Sequence, residues 1–240
     1  MTLASRFFRW HRWIGYVVAL QVLAWMLGGL LFAWLPFQSW VKSADAVSRP
    51  VLALPADWAA VLAADLAGQP PPLAVQAVAT ASGPAWRLRT ATGEQWRSAH
   101  GGELTAPDAA AVGRFATSLY KGGGRLSAVQ RLTEAPLRLG IVREAGERRD
   151  LWLARFDDPL QTRLYVDGRS GELLAVRSEA WVVYDFFFRL HVMDYTGGED
   201  FNNPLLRAAA TFAIGLVLTG LVLLGFSLRR QWRRRGAQGA

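Results

Sequence analysis

The sequence predicts an α+β membrane protein in which two transmembrane helices flank one domain of helices and antiparallel strands. Two apolar runs lie near the ends of the 240-residue chain, and the part between them alternates helix-like and strand-like segments. Basic residues cluster outside both runs, whereas all 19 acidic residues lie between Asp45 and Asp200. The net charge of +8 therefore sits beside apolar segments and not as a stripe on a folded surface, so we expect no nucleic-acid partner.

Each apolar run is long enough to cross a lipid bilayer. The run at 13–35 has Gln21 as its only strongly polar residue, and the run at 208–228 contains no charge. A helix on the surface of a soluble protein would show a polar face about every 3.6 residues, and neither run shows one. We predict transmembrane helices at 13–35 and 205–228.

The basic residues predict how the chain is oriented. Lys/Arg-rich flanks stay in the cytoplasm, so the N-terminal flank 1–12 and the basic tail 229–240 are expected there. The intervening domain is then expected on the periplasmic side of a bacterial inner membrane. Trp10 and Trp13 are expected in the headgroup layer. A cleaved signal peptide ending at 44–46 is the alternative, although the apolar run exceeds the usual length of about 7–15 residues.

The domain at 36–178 shows one pattern twice. A helix capped by Asp57 is expected at 58–66, and a second begins at Asp108 and ends near Tyr120. Turn signals delimit the strands that follow, at 73–80, 85–90 and 94–98, and then at 126–133, 150–156, 162–167 and 172–177. The repetition predicts two units of one helix and one antiparallel sheet.

Three motifs carry a resemblance to a known family. They are Arg9-Trp10-His11-Arg12-Trp13-Ile14-Gly15, the hairpin at 167–173, and Leu190-His191-Val192-Met193-Asp194-Tyr195-Thr196-Gly197-Gly198 followed by Phe201-Asn202-Asn203-Pro204-Leu205-Leu206. The chain resembles the PepSY family with its associated transmembrane helices. This resemblance implies a periplasmic α+β PepSY domain, a module associated with peptidase inhibition or regulation. In larger relatives it implies association with membrane reductases for iron or siderophores.

The segment at 179–204, before the second span, combines a helical pattern with an aromatic stripe. Asp185 and Arg189 are spaced for an ion pair within a helix. Aromatic side chains recur at intervals of three or four residues, at Trp181, Tyr184, Phe188, His191 and Tyr195. The pattern predicts an amphipathic helix at the membrane surface, with a ligand or partner site on this stripe as the alternative.

Histidines decide whether a haem is expected. His11 lies in the cytoplasmic flank and His191 precedes the second span, so about 30 Å of helix separates their levels. A membrane b-type haem needs two imidazoles at one depth, which one chain does not supply. We expect no cofactor; the alternative is a haem b at His11 or His191 whose second ligand comes from another chain.

Other chemistry has little support in the sequence. The chain has no cysteine, which removes thiol nucleophiles and thiolate metal sites. Asp194, with Gly197 and Gly198, matches no calcium loop and is expected to cap a turn, so no metal site is expected. An enzyme is not expected from this chain alone.

We predict a non-catalytic accessory or regulatory protein that binds a membrane or periplasmic protein, or a peptide, with a homodimer left open. The residues expected at its motifs and interfaces are Trp10, Trp13, Trp181, Tyr184, Phe188, Asp194, Tyr195, Gly197 and Gly198.

Overall fold

The structure, a computed structural model, describes residues 3–197 and 200–238, with residues 233–238 described by their backbone alone. The chain divides into two compact units. The membrane unit consists of the chain up to Trp34 and from Asp185 onward, and the central unit is Leu35–Tyr184. The predicted α+β class with one terminal apolar helix at each end is confirmed.

Among the described residues, the membrane unit contains two helices that are long and apolar enough to cross a membrane, judged by length and composition. Helix α1 is Leu3–Trp34, and an 18-residue stretch within it has a mean hydropathy of 2.0. An 18-residue stretch within the part of the last helix at Pro204–Trp232 has a mean hydropathy of 2.2. Both helices are longer than the predicted spans, because the flanks at 3–12 and 229–238 contain no proline and are rich in arginine, which favours helix.

The first repeat of the central unit is a helix and a three-stranded meander. Helix α2 is Trp58–Leu66, and strands β1 Ala74–Thr80, β2 Gly83–Thr90 and β3 Gly93–Ser98 pair antiparallel in chain order. The four predicted segments are present. Asp57 precedes α2, but its side chain makes no capping hydrogen bond. The core between helix and sheet contains Leu62, Leu66, Trp86, Leu88 and Ala99.

The second repeat has the same plan with an additional strand. Helix α3 is Ala109–Leu119, and Asp108 caps it by accepting a hydrogen bond of 2.7 Å from the Ala111 amide. Its antiparallel sheet has the order β4-β7-β8-β9. The strands are β4 Leu126–Glu134, β5 Leu137–Arg138, β6 Val142–Arg143, β7 Arg149–Phe156, β8 Arg163–Asp167 and β9 Leu173–Arg177, where β5 and β6 form a separate small hairpin.

The core of the second repeat lies between α3 and the sheet. Every third or fourth position of α3 faces inward, as the helical period requires, and meets alternate residues of β7 and β8. The fully packed side chains are Val112, Ala116, Leu119, Ala154, Phe156, Leu164 and Val166. Within the central unit the two sheets are linked where the Ala81 amide donates to the Gly171 carbonyl over 2.8 Å.

Three features differ from the sequence prediction. The hairpin of β5 and β6 was not predicted, because strands of two residues are too short to show an alternation of apolar and polar residues. A short π-helix, Phe37–Val41, follows α1. The predicted aromatic helix exists as α4, Glu179–Val192, but it ends before Tyr195. The last helix, α5, is Pro204–Gln238.

Candidate functional site

His11 lies at a close contact between α1 and α5. Its Nδ1 is 3.1 Å from the Leu216 carbonyl oxygen and 3.0 Å from the Thr219 hydroxyl. A side-chain carbon at Gly220 would stand 3.2 Å from the His11 ring, so a glycine there lets the two helices approach. His11 is therefore a polar contact between two membrane helices in this structure.

His191 lies at the end of α4 in an aromatic slot of the membrane unit. Its ring centroid is 5.8 Å from that of Trp25 and 6.2 Å from that of Phe32. The Nδ1 atom is buried and has no hydrogen-bond partner among the residues that the structure describes. The His191 carbonyl accepts a hydrogen bond of 2.8 Å from the Trp25 indole.

The C-terminal carbonyls of α4 are capped by side chains from α1 and from the residue that precedes α5. Gln21 donates to the Leu190 carbonyl over 3.0 Å, and Asn203 donates to the Val192 carbonyl over 2.9 Å. A helix end leaves such carbonyls without intrahelical partners, which is costly in an apolar environment. This capping explains why a strongly polar residue stands inside the first apolar run.

His11 and His191 are not brought together. Trp25, which contacts His191, stands about 21 Å along α1 from His11 at a rise of about 1.5 Å per residue. One iron with two axial imidazoles needs both rings within a few ångströms of the metal. The two histidines of one chain therefore do not fit a single haem.

Asp194 organises the turn that follows α4. One carboxylate oxygen accepts from the amides of Thr196 and Gly197, each over 3.1 Å, and the other accepts from the Asp200 amide over 3.0 Å. Such an arrangement is a turn cap that consumes the carboxylate's acceptors. Tyr195 and Gly197 are exposed, and Gly198 lies outside the described residues.

The remaining aromatic side chains are placed in two separate environments. In the membrane unit, Trp10 and Trp13 are exposed, and the Phe188 ring meets the Phe201 ring edge-on at 6.0 Å. In the central unit, the Arg177 guanidinium lies 4.0 Å above the Trp181 ring, and Tyr184 packs against Phe37. The residues of the predicted aromatic stripe are therefore divided between the two units and make separate contacts.

A buried network of charged side chains in the central unit was not predicted from the sequence. Glu144 is completely buried and accepts hydrogen bonds from Arg163, which is itself 3% exposed, and from the Tyr165 hydroxyl. Arg163 and Arg138 also reach Glu179, over 2.8 Å and 2.9 Å. The network fixes the start of α4 to the second sheet.

The network shifts the pKa values of three of its members. Burial raises the pKa of Tyr165, and the neighbouring Glu144 carboxylate raises it further. Burial would raise the pKa of Glu179, but hydrogen bonds from Arg138 and Arg163 outweigh it, so the pKa is lowered. Burial would lower the pKa of Arg163, but the Glu144 charge and the hydrogen bonds that Arg163 donates to Glu144 outweigh this effect, so the pKa is raised. All three stay in their ordinary states at neutral pH, as expected of a structural cluster.

Strand β9 borders two adjoining hollows in the central unit. It is the edge strand of the second sheet and pairs only with β8 among the described strands. One hollow has a volume of about 630 Å³ and the other about 280 Å³, and both are lined by Lys42, Leu173 and Val176. We call this combined feature the β9 groove. Within the described residues, no cluster of three or more metal-ligating side chains was found.

The sequence of the chain matches a protein-family model. The model of the PepSY-associated TM region matches residues 8–239. The chain belongs to this PepSY family. No curated protein and no solved structure matches the chain. The family membership and the two apolar helices identify a membrane-associated PepSY protein.

Proposed function

We propose that this PepSY protein is a non-catalytic accessory protein of the bacterial inner membrane whose central unit binds a protein or peptide partner in the periplasm. The observation that carries the proposal is the unpaired edge of β9 beside an open groove. An exposed strand edge offers a row of backbone donors and acceptors, which extended segments of other proteins use by adding a strand. A helix at each end fixes such a binding unit at the membrane.

The distribution of arginines supports cytoplasmic termini and a periplasmic central unit. Arginines precede the first apolar run and follow the second, and positive flanks remain cytoplasmic. The two spanning helices then return the chain to its starting side, with the central unit on the other.

Crosslinking in intact cells tests the proposal. A photoactivatable amino acid replaces Leu174, which lines the smaller hollow of the β9 groove, and as a control replaces the exposed Glu147. We expect one discrete adduct from position 174 and none from position 147. The partner is identified by mass spectrometry and then tagged, and the same adduct must be recovered through its tag. Absence of any adduct from groove positions across growth conditions would contradict partner binding.

A haem-bearing subunit of a membrane electron-transfer complex is the second candidate, and the geometry of His11 favours it. When Nδ1 donates its proton to the Leu216 carbonyl, Nε2 carries the lone pair, which is the form that binds iron. The second axial ligand would come from another chain. Haem would supply one-electron transfer, and His11 would hold it at a fixed ring orientation.

An absorption spectrum separates the two candidates. The chain is purified in detergent with its membrane partners, and spectra are taken before and after dithionite reduction. A Soret band that is lost in His11→Ala and retained in His100→Ala, a change at an exposed histidine of the central unit, would establish the haem subunit. A spectrum without a Soret band is what the accessory protein predicts.

A further inference from the structure

We propose that the β9 groove binds an extended acidic segment of the partner protein, which adds to β9 as a further strand. This inference rests on the proposed function and names the site and the chemistry of the partner. It is carried by three observations: the free edge, the shape of the groove and an uncompensated positive charge.

The edge of β9 is available for strand addition. Four of its five residues are paired with β8, from Leu173 opposite Val166 to Arg177 opposite Arg163, and a shift of register leaves Leu174 without a partner in β8. A strand has hydrogen-bonding groups on both sides, so the side of β9 away from β8 retains groups without a strand partner in the described chain. A five-residue strand of this kind can hold an added segment of similar length.

The segment after the π-helix forms the opposite wall of the groove and is held in place. The Lys121 amide donates to the Ala46 carbonyl over 2.7 Å, and the Ser48 amide donates to the Leu119 carbonyl over 2.8 Å. Val41, at the end of the π-helix, is 1% exposed. The groove is thus preformed between two fixed walls, which lowers the entropy lost on binding.

The groove carries positive charge without compensation. Lys42, Arg49 and Lys121 line its larger hollow and are exposed. None of the three forms an ion pair with a residue that the structure describes, and Lys42 makes only a contact of 5.3 Å with the Phe37 ring. No carboxylate lines either hollow, although Asp45 belongs to the same segment. A segment with acidic side chains on one face complements this charge.

Peptide binding to the full chain in a zwitterionic detergent tests the inference. The probe is a fluorescent octapeptide in which glutamate alternates with valine, so that every glutamate faces one side of a strand. We expect binding that weakens at least about tenfold when Lys42, Arg49 and Lys121 are all replaced by glutamate. The matched control replaces Arg114, Arg148 and Arg149, exposed arginines that do not line the groove, and should bind the peptide as the wild type does.

Two modified peptides separate strand addition from charge attraction. One carries N-methyl groups on its odd residues and the other on its even residues, which removes one alternate set of backbone donors. Strand addition uses one set only, so one of these peptides should lose binding and the other should keep it. Equal binding of both peptides would overturn the proposed mode.

The remaining outcomes also decide the inference. If the charge reversal leaves peptide binding unchanged but abolishes binding to phosphatidylglycerol vesicles, the groove faces anionic lipid and the proposal is wrong. If the crosslinked partner is retained by the charge-reversed chain in cells, the partner uses another surface; the β9 proposal then fails while the accessory function stands. Absence of both the peptide complex and the cellular adduct contradicts the two proposals together.

Discussion

At the scale of single residues, the strongest constraint in the central unit is the burial of Glu144. A carboxylate with no exposure needs compensating partners, and Arg163 and Tyr165 supply them. Sequence patterns could not reveal this network, because Glu144 lies in the loop before β7 and Arg163 begins β8. Only the pairing of β7 with β8, together with the course of that loop, brings them to one place.

Removal of the buried guanidinium is expected to destabilise the chain strongly. Arg163→Met leaves the Glu144 charge buried with fewer donors, and we expect the free energy of unfolding to fall by about 3–5 kcal/mol. Denaturation in detergent, followed by tryptophan fluorescence, measures the loss.

Two variants make this measurement interpretable. Arg131→Met breaks an exposed ion pair with Asp150 and should change stability little. The double variant Arg163→Met/Glu144→Met replaces both buried partners by apolar side chains and should recover much of the loss. An Arg163→Met variant as stable as Arg131→Met would contradict the structural role of the network.

Glu179 predicts a pH dependence of stability. Its pKa lies below the ordinary value of 4.5, because Arg138 and Arg163 donate hydrogen bonds to its ionised form. The resulting stabilisation is fully present above pH 4.5 and is lost as the pH falls through the lowered pKa. We therefore expect the wild type to be more stable than Glu179→Gln at neutral pH. The difference should shrink in acid when urea denaturation is repeated at about pH 3. A difference that does not depend on pH would refute the assignment.

At the scale of elements, the helices and longer strands follow from local signals. Every longer strand was predicted because apolar residues alternate between turn residues, and Asp108 marks the start of α3 as a cap should. The end of α4 was placed too late, because the aromatic spacing continues to Tyr195 whereas the hydrogen bonds to Asp194 begin a turn. The capping of α4 by Gln21 and Trp25 depends on tertiary contact and is invisible in a single sequence.

The contact between α1 and α5 predicts a large effect at one glycine and a small effect at another. Gly220 faces the His11 ring, whereas nothing lies within 4 Å of a side-chain carbon added at Gly225. Gly220→Leu should therefore separate the helices and lower the apparent melting temperature in detergent. Gly225→Leu, which makes the same change in helix propensity, should leave the melting temperature unchanged or raise it. Equal melting temperatures for both variants would argue against this packing.

At the scale of the whole molecule, the sequence was most informative about class and order. The apolar runs, the repeated helix-and-sheet pattern and the three motifs were sufficient to predict a PepSY membrane protein, which the family match confirms. The groove beside β9 was not predictable, because its walls come from segments far apart in sequence. Its charge also depends on which cationic side chains lack an ion-pair partner. The contact of His11 with α5 was not predicted either, because it depends on how the two helices pack.

We propose that two membrane helices hold the central unit on the periplasmic side, where it meets its partner. The chain contains no cysteine, so single cysteines can be introduced without background. Arg148→Cys marks the central unit and Gln231→Cys marks the end of α5, and both positions are exposed. Spheroplasts are treated with a membrane-impermeant maleimide before and after lysis. We predict labelling of position 148 in intact spheroplasts and of position 231 only after lysis; the reverse pattern would contradict the account.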